Sequence, residues 1–137
     1  MARLYILELT VSPLNSVHKI GWTGRSARVR AAEVEETLRI ANYRGELRIL
    51  FEAHFIFAYP LEQFLHIVYR RKRFQMDRRV SGWSEFFDLN LFSVRILIAI
   101  LNIYHCVHYL LTVLMIAYVL QLLNLINGLS VISQKGS

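Results

Sequence analysis

The 137-residue chain carries a net charge of +6 and a mean hydropathy of +0.35, both unevenly spread along it. All ten acidic and fourteen of the sixteen basic residues fall in residues 1–88; beyond them stand only Arg95 and Lys135. This pattern leaves room for one compact, basic domain and an appendage suited to a different solvent. With Cys106 as the only cysteine, it excludes a disulfide framework within the chain.

Met1 to Leu9 holds Arg3 and Glu8 in an apolar run too short for a signal peptide. Leu4 to Leu9 is a β-type run and Val17 to Thr23 a second. The turn chemistry of Ser12-Pro13 and Asn15-Ser16 between them predicts a hairpin. Ser26 is placed to cap a helix to about Ala41, whose apolar stripe is Ala27, Ala31, Val34, Leu38 and Ala41, closed by Tyr43-Arg44-Gly45. A third strand follows over Leu47–Phe55, with Leu47, Ile49, Phe51, Ala53 and Phe55 alternating as its buried set. Pro60 suits the first turn of a helix running to Arg73, with Leu61, Phe64, Leu65 and Val68 as its core face. The cations Arg70, Arg71, Lys72 and Arg73 fall at the negative end of that helix dipole. Trp83 to Leu89 closes the domain as a short strand or extended segment. The order ββαβα(β) predicts an α+β domain, residues 1–89, with a small, mainly antiparallel sheet and flanking helices.

Residues 90–134 form a membrane-anchoring segment of a different kind. From Ile96 to Gln134 there are thirty-nine residues without a formal charge. A helix that long would measure roughly 58 Å, about twice the hydrocarbon core of a bilayer. Two arrangements fit. One is a transmembrane hairpin turning near Asn102 to His108; the other is a single span, about Tyr109 to Ile126, preceded by an interfacial helix from Leu91 to Tyr104. The apolar character of Leu91 to Leu101 nearly all round favours the hairpin. A buried helical pair in a soluble dimer is the plainer alternative. The excess of Lys and Arg before the tail places the N-terminal domain on the cytoplasmic side. His105-Cys106-Val107-His108 has metal-like spacing, but one short helical stretch supplies too few ligands.

Several short segments of the N-terminal part spell a known arrangement. Tyr5-Ile6-Leu7 is followed by Lys19-Ile20-Gly21-Trp22-Thr23, then by Gly24-Arg25-Ser26 with Arg30 and Glu33 on the next helix. Downstream come Tyr59-Pro60-Leu61-Glu62 with His66, then Gly82-Trp83-Ser84-Glu85-Phe86-Phe87. In this order, over residues 3–89, they resemble the GIY-YIG endonuclease superfamily, in particular the phage, bacterial and fungal branch reading Lys-Ile-Gly where classical members have Tyr-Ile-Gly. The resemblance does not extend to the tail, and Leu4 stands where classical members have Gly.

The resemblance implies a metal-dependent DNA endonuclease. Tyr5 would line the site and help position or activate the attacking water, while Lys19 occupies the second tyrosine's place. Arg30 would hold the scissile phosphate. Glu62 would bind Mg²⁺ or Mn²⁺ in support of the leaving 3′ oxygen. His66 would assist the site, with Glu85 a weaker candidate. Lys19 can act as a base only if its pKa falls well below about 10.4, by burial or through cationic neighbours such as Arg25 and Arg30. Otherwise it binds phosphate. Arg25 and the run Arg70, Arg71, Lys72 and Arg73 are the expected nucleic-acid contacts, although that run equally suits an anionic leaflet.

Three functions follow. The chain is a membrane-anchored DNA endonuclease, suited to cutting incoming foreign DNA; or a degenerate nuclease fold that binds nucleic acid at the membrane; or a membrane interaction protein whose tail drives oligomers. Its expected partners are DNA or another nucleic acid, membrane lipid, and further copies of itself through the tail.

Overall fold

The computed structural model describes residues 2–12 and 15–135, with side chains to residue 126. Pro13, in the expected hairpin turn, lies outside the described residues. The chain divides into two compact units, Met1–Ala99 and Ile100–Ser137.

The first unit is an α+β domain built on a four-stranded antiparallel sheet. Strand β1 (Arg3–Ser12) pairs with β2 (Asn15–Thr23) as a hairpin, with Tyr5 opposite Gly21 and Leu7 opposite Lys19. The third strand, β3 (Leu47–His54), adds to the other side of β1, and the two-residue β4 (Phe86–Phe87) adds to β2, giving the order β3-β1-β2-β4. Trp83–Glu85 forms a 3-10 turn, so the closing strand is shorter than the sequence suggests.

Helix α1 (Ala27–Ile40) starts at Ser26, whose side chain accepts a hydrogen bond from the Val29 amide. It ends at Asn42, which takes the left-handed conformation (φ 60°). The Asn42 and Tyr43 amides then turn back to the carbonyls of Arg39 and Leu38, satisfying the last turn. Ala27, Val34, Leu38 and Ala41 pack with Tyr5, Leu7, Leu9, Val17 and Phe86 on one sheet face. Each fully buried Leu or Val there contributes about 1.5–3 kcal/mol.

The alternation expected along β3 does not hold. The pairing with β1 slips between Ile6 and Leu7: Ile6 faces Phe51 while Leu7 faces Ile49. Leu50 is thus an extra residue, and a bulge of this kind switches which residues face which side. Leu47 joins the α1 side, whereas Phe51 pairs with Ile6 on the opposite side; Ile49 is exposed.

Helix α2 (Ala58–Val68) takes the sheet's other face, where Tyr59 meets Trp22 and His66 meets Phe87. It is shorter than expected, because Arg70–Lys72 tightens into a 3-10 turn. Its core face also differs from the expected one. Ala58, Glu62 and Leu65 are buried, while Phe64 and Val68 point to solvent and Leu61 is half-buried. The helix is rotated so that a carboxylate, not a phenyl ring, turns inward.

A third helix, α3 (Leu91–Lys135), begins in the first unit, where Val94 and Leu97 are buried. Asn90 caps it by accepting a hydrogen bond from the Ser93 amide. The expected hairpin is not formed: Asn102 to His108 is helical throughout. Nothing there forces a turn, since neither Gly nor Pro occurs between Leu91 and Ile126. Leu91–Ile126, with mean hydropathy 2.1 over its most apolar stretch, is long and apolar enough to cross a membrane.

Candidate functional site

The outer edge of β2 is where the sheet leaves space. Along β2, strand β4 pairs with His18 and Lys19, and among the described residues no further strand lies beside Ile20 to Thr23. His66 comes in from α2 and its Nε2–H donates to the Ile20 carbonyl at 2.8 Å. Next to this edge lies a cleft of about 380 Å³ lined by Tyr5, Trp22, Thr23, Gly24, Arg25, Arg30, Glu62 and Glu85.

Tyr5 reaches the cleft because its cross-strand neighbour is glycine. A Cβ on Gly21 would overlap the Tyr5 hydroxyl, so only a bare backbone lets the ring lie across β2. Burial pushes the phenol up to about 12, against the opposing pull of the Arg30 guanidinium. At neutral pH Tyr5 is therefore a neutral hydroxyl, able to donate and accept a hydrogen bond, not a phenolate base.

The two arginines are held from α1. Glu33 accepts from Arg30 Nη1 at 2.8 Å and from Arg25 Nη2 at 2.5 Å, with the Arg25 amide bonded to Thr23 Oγ1 at 3.1 Å. The Arg30 hydrogen bond, then that of Arg25, hold the Glu33 carboxyl below its usual range. Partial burial works against the charge on Arg30, yet Glu33 and the Tyr5 hydroxyl outweigh it and raise its pKa. One guanidinium is thus fixed in direction and still faces the cleft, a suitable arrangement for gripping an anion.

Glu62 enters from the opposite helix. It is only 4% exposed, accepts from Gln63 Nε2 at 2.5 Å, and lies 3.7 Å from His66 Nε2. Burial raises its pKa; Gln63 and His66 oppose the rise, and Glu85 adds to it. The Glu62 and Glu85 carboxylates, lining one cleft, form an all-oxygen donor set of the kind that suits a hard divalent cation. Among the described residues no group of three or more His, Cys, Asp or Glu forms a metal cluster. Ligands from outside the chain would therefore supply most of any coordination sphere, an arrangement Mg²⁺ usually keeps through bound water.

Lys19 is one of the sequence candidates that do not reach the cleft wall. Its side chain is fully buried, pairs with Glu85, and donates to the Gly82 carbonyl at 3.3 Å. Gly82 adopts φ 69°, and a Cβ there would overlap the ammonium, so this glycine is what allows the lysine its place. Burial lowers the Lys19 pKa while the Glu85 charge resists. The ammonium lies behind the cleft and fixes the Glu85 carboxylate that faces it.

Of the residues singled out from sequence, Tyr5, Arg25, Arg30, Glu62 and Glu85 meet in the cleft. Lys19 and His66 stand behind it, each bonded to a partner that shapes it. Arg70, Arg71, Lys72 and Arg73 do not line the cleft. Arg73 bridges to Phe87, two residues along the chain from the cleft residue Glu85. Trp22, which the sequence pattern does not mark as a site residue, rims the cleft half-exposed and packs edge-to-face on Tyr59 at 5.8 Å. The exposed aromatic inside the Lys-Ile-Gly-Trp-Thr run was its signal. His18 is buried, and lies in a separate groove lined also by Glu8, Asn15, Ser16 and Asp88. No family model matches this chain, and no curated protein or solved structure matches it.

Proposed function

We propose that the first unit is a GIY-YIG-type nuclease domain that hydrolyses phosphodiesters in DNA, held at a membrane by α3 with the domain on the cytoplasmic side. The observation that carries this reading is the convergence of a hydroxyl, a guanidinium and a buried carboxylate on one small cleft. Tyr5, Arg30 and Glu62 come from a strand and two helices on opposite sheet faces, and nothing in core packing requires them to meet.

In this reading Arg30 holds the scissile phosphate and offsets the charge that grows on its oxygens. Arg25 grips the neighbouring phosphate. Tyr5, neutral at working pH, orients the attacking water through its hydroxyl. Glu62 would hold Mg²⁺ or Mn²⁺, which when bound supplies Lewis-acid support to the leaving 3′ oxygen. Glu85, fixed by Lys19, sets the negative charge on the cleft's other side. Lys19 and His66 act as positioning residues.

The membrane part of the reading is supported by the length and composition of Leu91–Ile126 and by the excess of basic residues before it. A second reading, a binding module without cleavage, is favoured by one feature: the buried Lys19–Glu85 pair leaves no exposed base at the second tyrosine's position.

The two are separated by a plasmid-nicking assay on the full chain with Mg²⁺ or Mn²⁺. Nicking that disappears in both Arg30→Ala and Glu62→Ala is the expected result. Salt-sensitive DNA binding without cleavage, unchanged by Glu62→Ala, selects the binding module. Neither cleavage nor binding across metals and substrates overturns both.

A further inference from the structure

Helix α2 carries most of its bulky apolar side chains on the side that faces solvent. Phe57 at its N-cap is 61% exposed, Phe64 59%, Ile67 66% and Val68 53%. At about 100° per residue these four fall with Pro60 and Leu61 in one arc about 120° wide. Exposed Ile56 extends the patch by one residue.

The charges next to the stripe are one-sided. Arg70, Arg71, Lys72 and Arg73 follow at its C-terminal end, all exposed. None of them takes part in an ion pair among the described residues. From Ile56 to Arg73 the one acidic residue is Glu62, which is buried on the opposite side. Beside the run, exposed Asp88 donates its amide to the Lys72 carbonyl. The outer surface therefore presents an apolar stripe ending in four unpaired cations against a single neighbouring carboxylate.

Each kind of occupant has to satisfy both halves. A nucleic-acid backbone would take the cations but gains nothing from Phe57, Phe64, Ile67 and Val68. A protein groove would take the stripe, yet needs its own acidic rim for the cations. A second copy packed antiparallel would cover the stripe but offers no exposed acidic residue on this segment to meet the four cations. An anionic bilayer surface takes both together, with the apolar face at the headgroup boundary and the cations at lipid phosphates. The same chain supplies the helix long and apolar enough to cross such a bilayer.

We infer that the outer face of α2, Phe57 to Val68 with Arg70 to Arg73, is a docking surface for an anionic membrane leaflet. The inference rests on the membrane half of the function proposed above and is independent of the nuclease half. It assigns the basic run to lipid, not to DNA. Because Glu62 lies on the inner side of the same helix, docking would bring the cleft within about one helix diameter, 10–12 Å, of the lipid surface.

The test uses the full chain reconstituted into phosphatidylcholine vesicles with and without phosphatidylglycerol. A single tryptophan is placed by Phe64→Trp, with Trp22 and Trp83 changed to Phe, and lipids with brominated acyl chains serve as quenchers. Val68→Trp is the second reporter should the first variant fail to fold, and Ile40→Trp, exposed on α1, is the reference position. Position 64 should be quenched strongly in phosphatidylglycerol vesicles and much less in phosphatidylcholine alone, while position 40 stays unquenched in both. Arg70→Gln with Arg71→Gln should lower the ratio of docked to undocked heads roughly 30-fold, from about 1 kcal/mol per cation near an anionic surface.

A chain that floats with the vesicles while positions 64 and 68 remain unquenched overturns the docking surface and leaves the anchor intact. Shielding from aqueous acrylamide without bromine quenching overturns it in favour of a protein partner. A chain that floats with neither vesicle removes the membrane half as well.

Discussion

The two faces of α2 differ in a direction opposite to the usual one. Its inward face buries Glu62 and half-buries His66 beside Ala58 and Leu65, whereas its outward face shows Phe57, Phe64, Ile67 and Val68 to solvent. A helix that served only the core would be turned the other way, with the phenyl rings inside and the carboxylate in water. Departures of this kind collect where a protein does something besides fold. Helix α1 gives the contrast within the same domain. Its stripe of Ala27, Val34, Leu38 and Ala41 is buried as its periodicity predicts, and Arg30, which lines the cleft, stands on the flank.

The strongest way to break this comparison is through the residue opposite the inverted face. If Glu62 is turned inward to share a site with Arg30, Arg30→Ala should lower nicking by about 100- to 1,000-fold, as loss of one oriented donor to a charged transition state does. Rates within a few-fold of the parent chain would detach the inner face from any cleavage site. Next in size is Gly21→Ala. The added methyl overlaps the Tyr5 hydroxyl, so it should cost about 1–3 kcal/mol in chemical denaturation and remove cleavage with it. A fully stable, fully active variant would mean that Tyr5 need not lie across β2.

Glu62→Gln sharpens the comparison by its sign. The folded-state pKa of Glu62 lies above its unfolded value, so ionising it destabilises the fold. That favourable term is complete below the unfolded pKa of about 4.5 and is lost as pH rises through the raised folded value. Glutamine escapes the loss. The variant should melt a few degrees higher than the parent at pH 8, with the gain vanishing near pH 4, while cleavage is abolished. A lower melting temperature at pH 8 would make Glu62 a structural residue. The smallest effect belongs to the outer face: Phe64→Ser should change unfolding free energy by no more than about 0.5 kcal/mol, since the ring contributes little to the core. A loss of several kcal/mol would show that this face is covered after all.

Much of the domain was legible because local chemistry and global packing agree there. The β1–β2 hairpin, the Ser26 cap and the α1 stripe follow from turn residues, a hydroxyl and a period of 3.6. The cleft residues Tyr5, Arg25, Arg30, Glu62 and Glu85 stand out in the order of short segments along the chain. What stayed hidden depends on tertiary choices. Leu50 has nothing in its own identity to mark it as a bulge, yet that slip moves half of β3 to the other face. The rotation of α2 ran against periodicity: Glu62 is buried, while Phe64 and Val68, two of the four residues expected in the core, face solvent. The burial of Lys19 needed the left-handed Gly82, sixty-three positions away. No turn forms in α3 because Asn102, His105 and His108 interrupt hydropathy but not the helical backbone.

The shortness of β4 has a consequence for how the protein behaves in a crowded solution. An unpaired stretch of strand is a template on which another chain can add itself, and many folds blunt such borders deliberately. Here the imidazole of His66 already occupies the Ile20 carbonyl, so an incoming strand finds one of its hydrogen-bond positions taken. The same side chain that steadies the cleft thus works as a guard against strand addition. Exchanging it for leucine should yield a chain that clumps on concentration, even where its melting temperature has hardly moved.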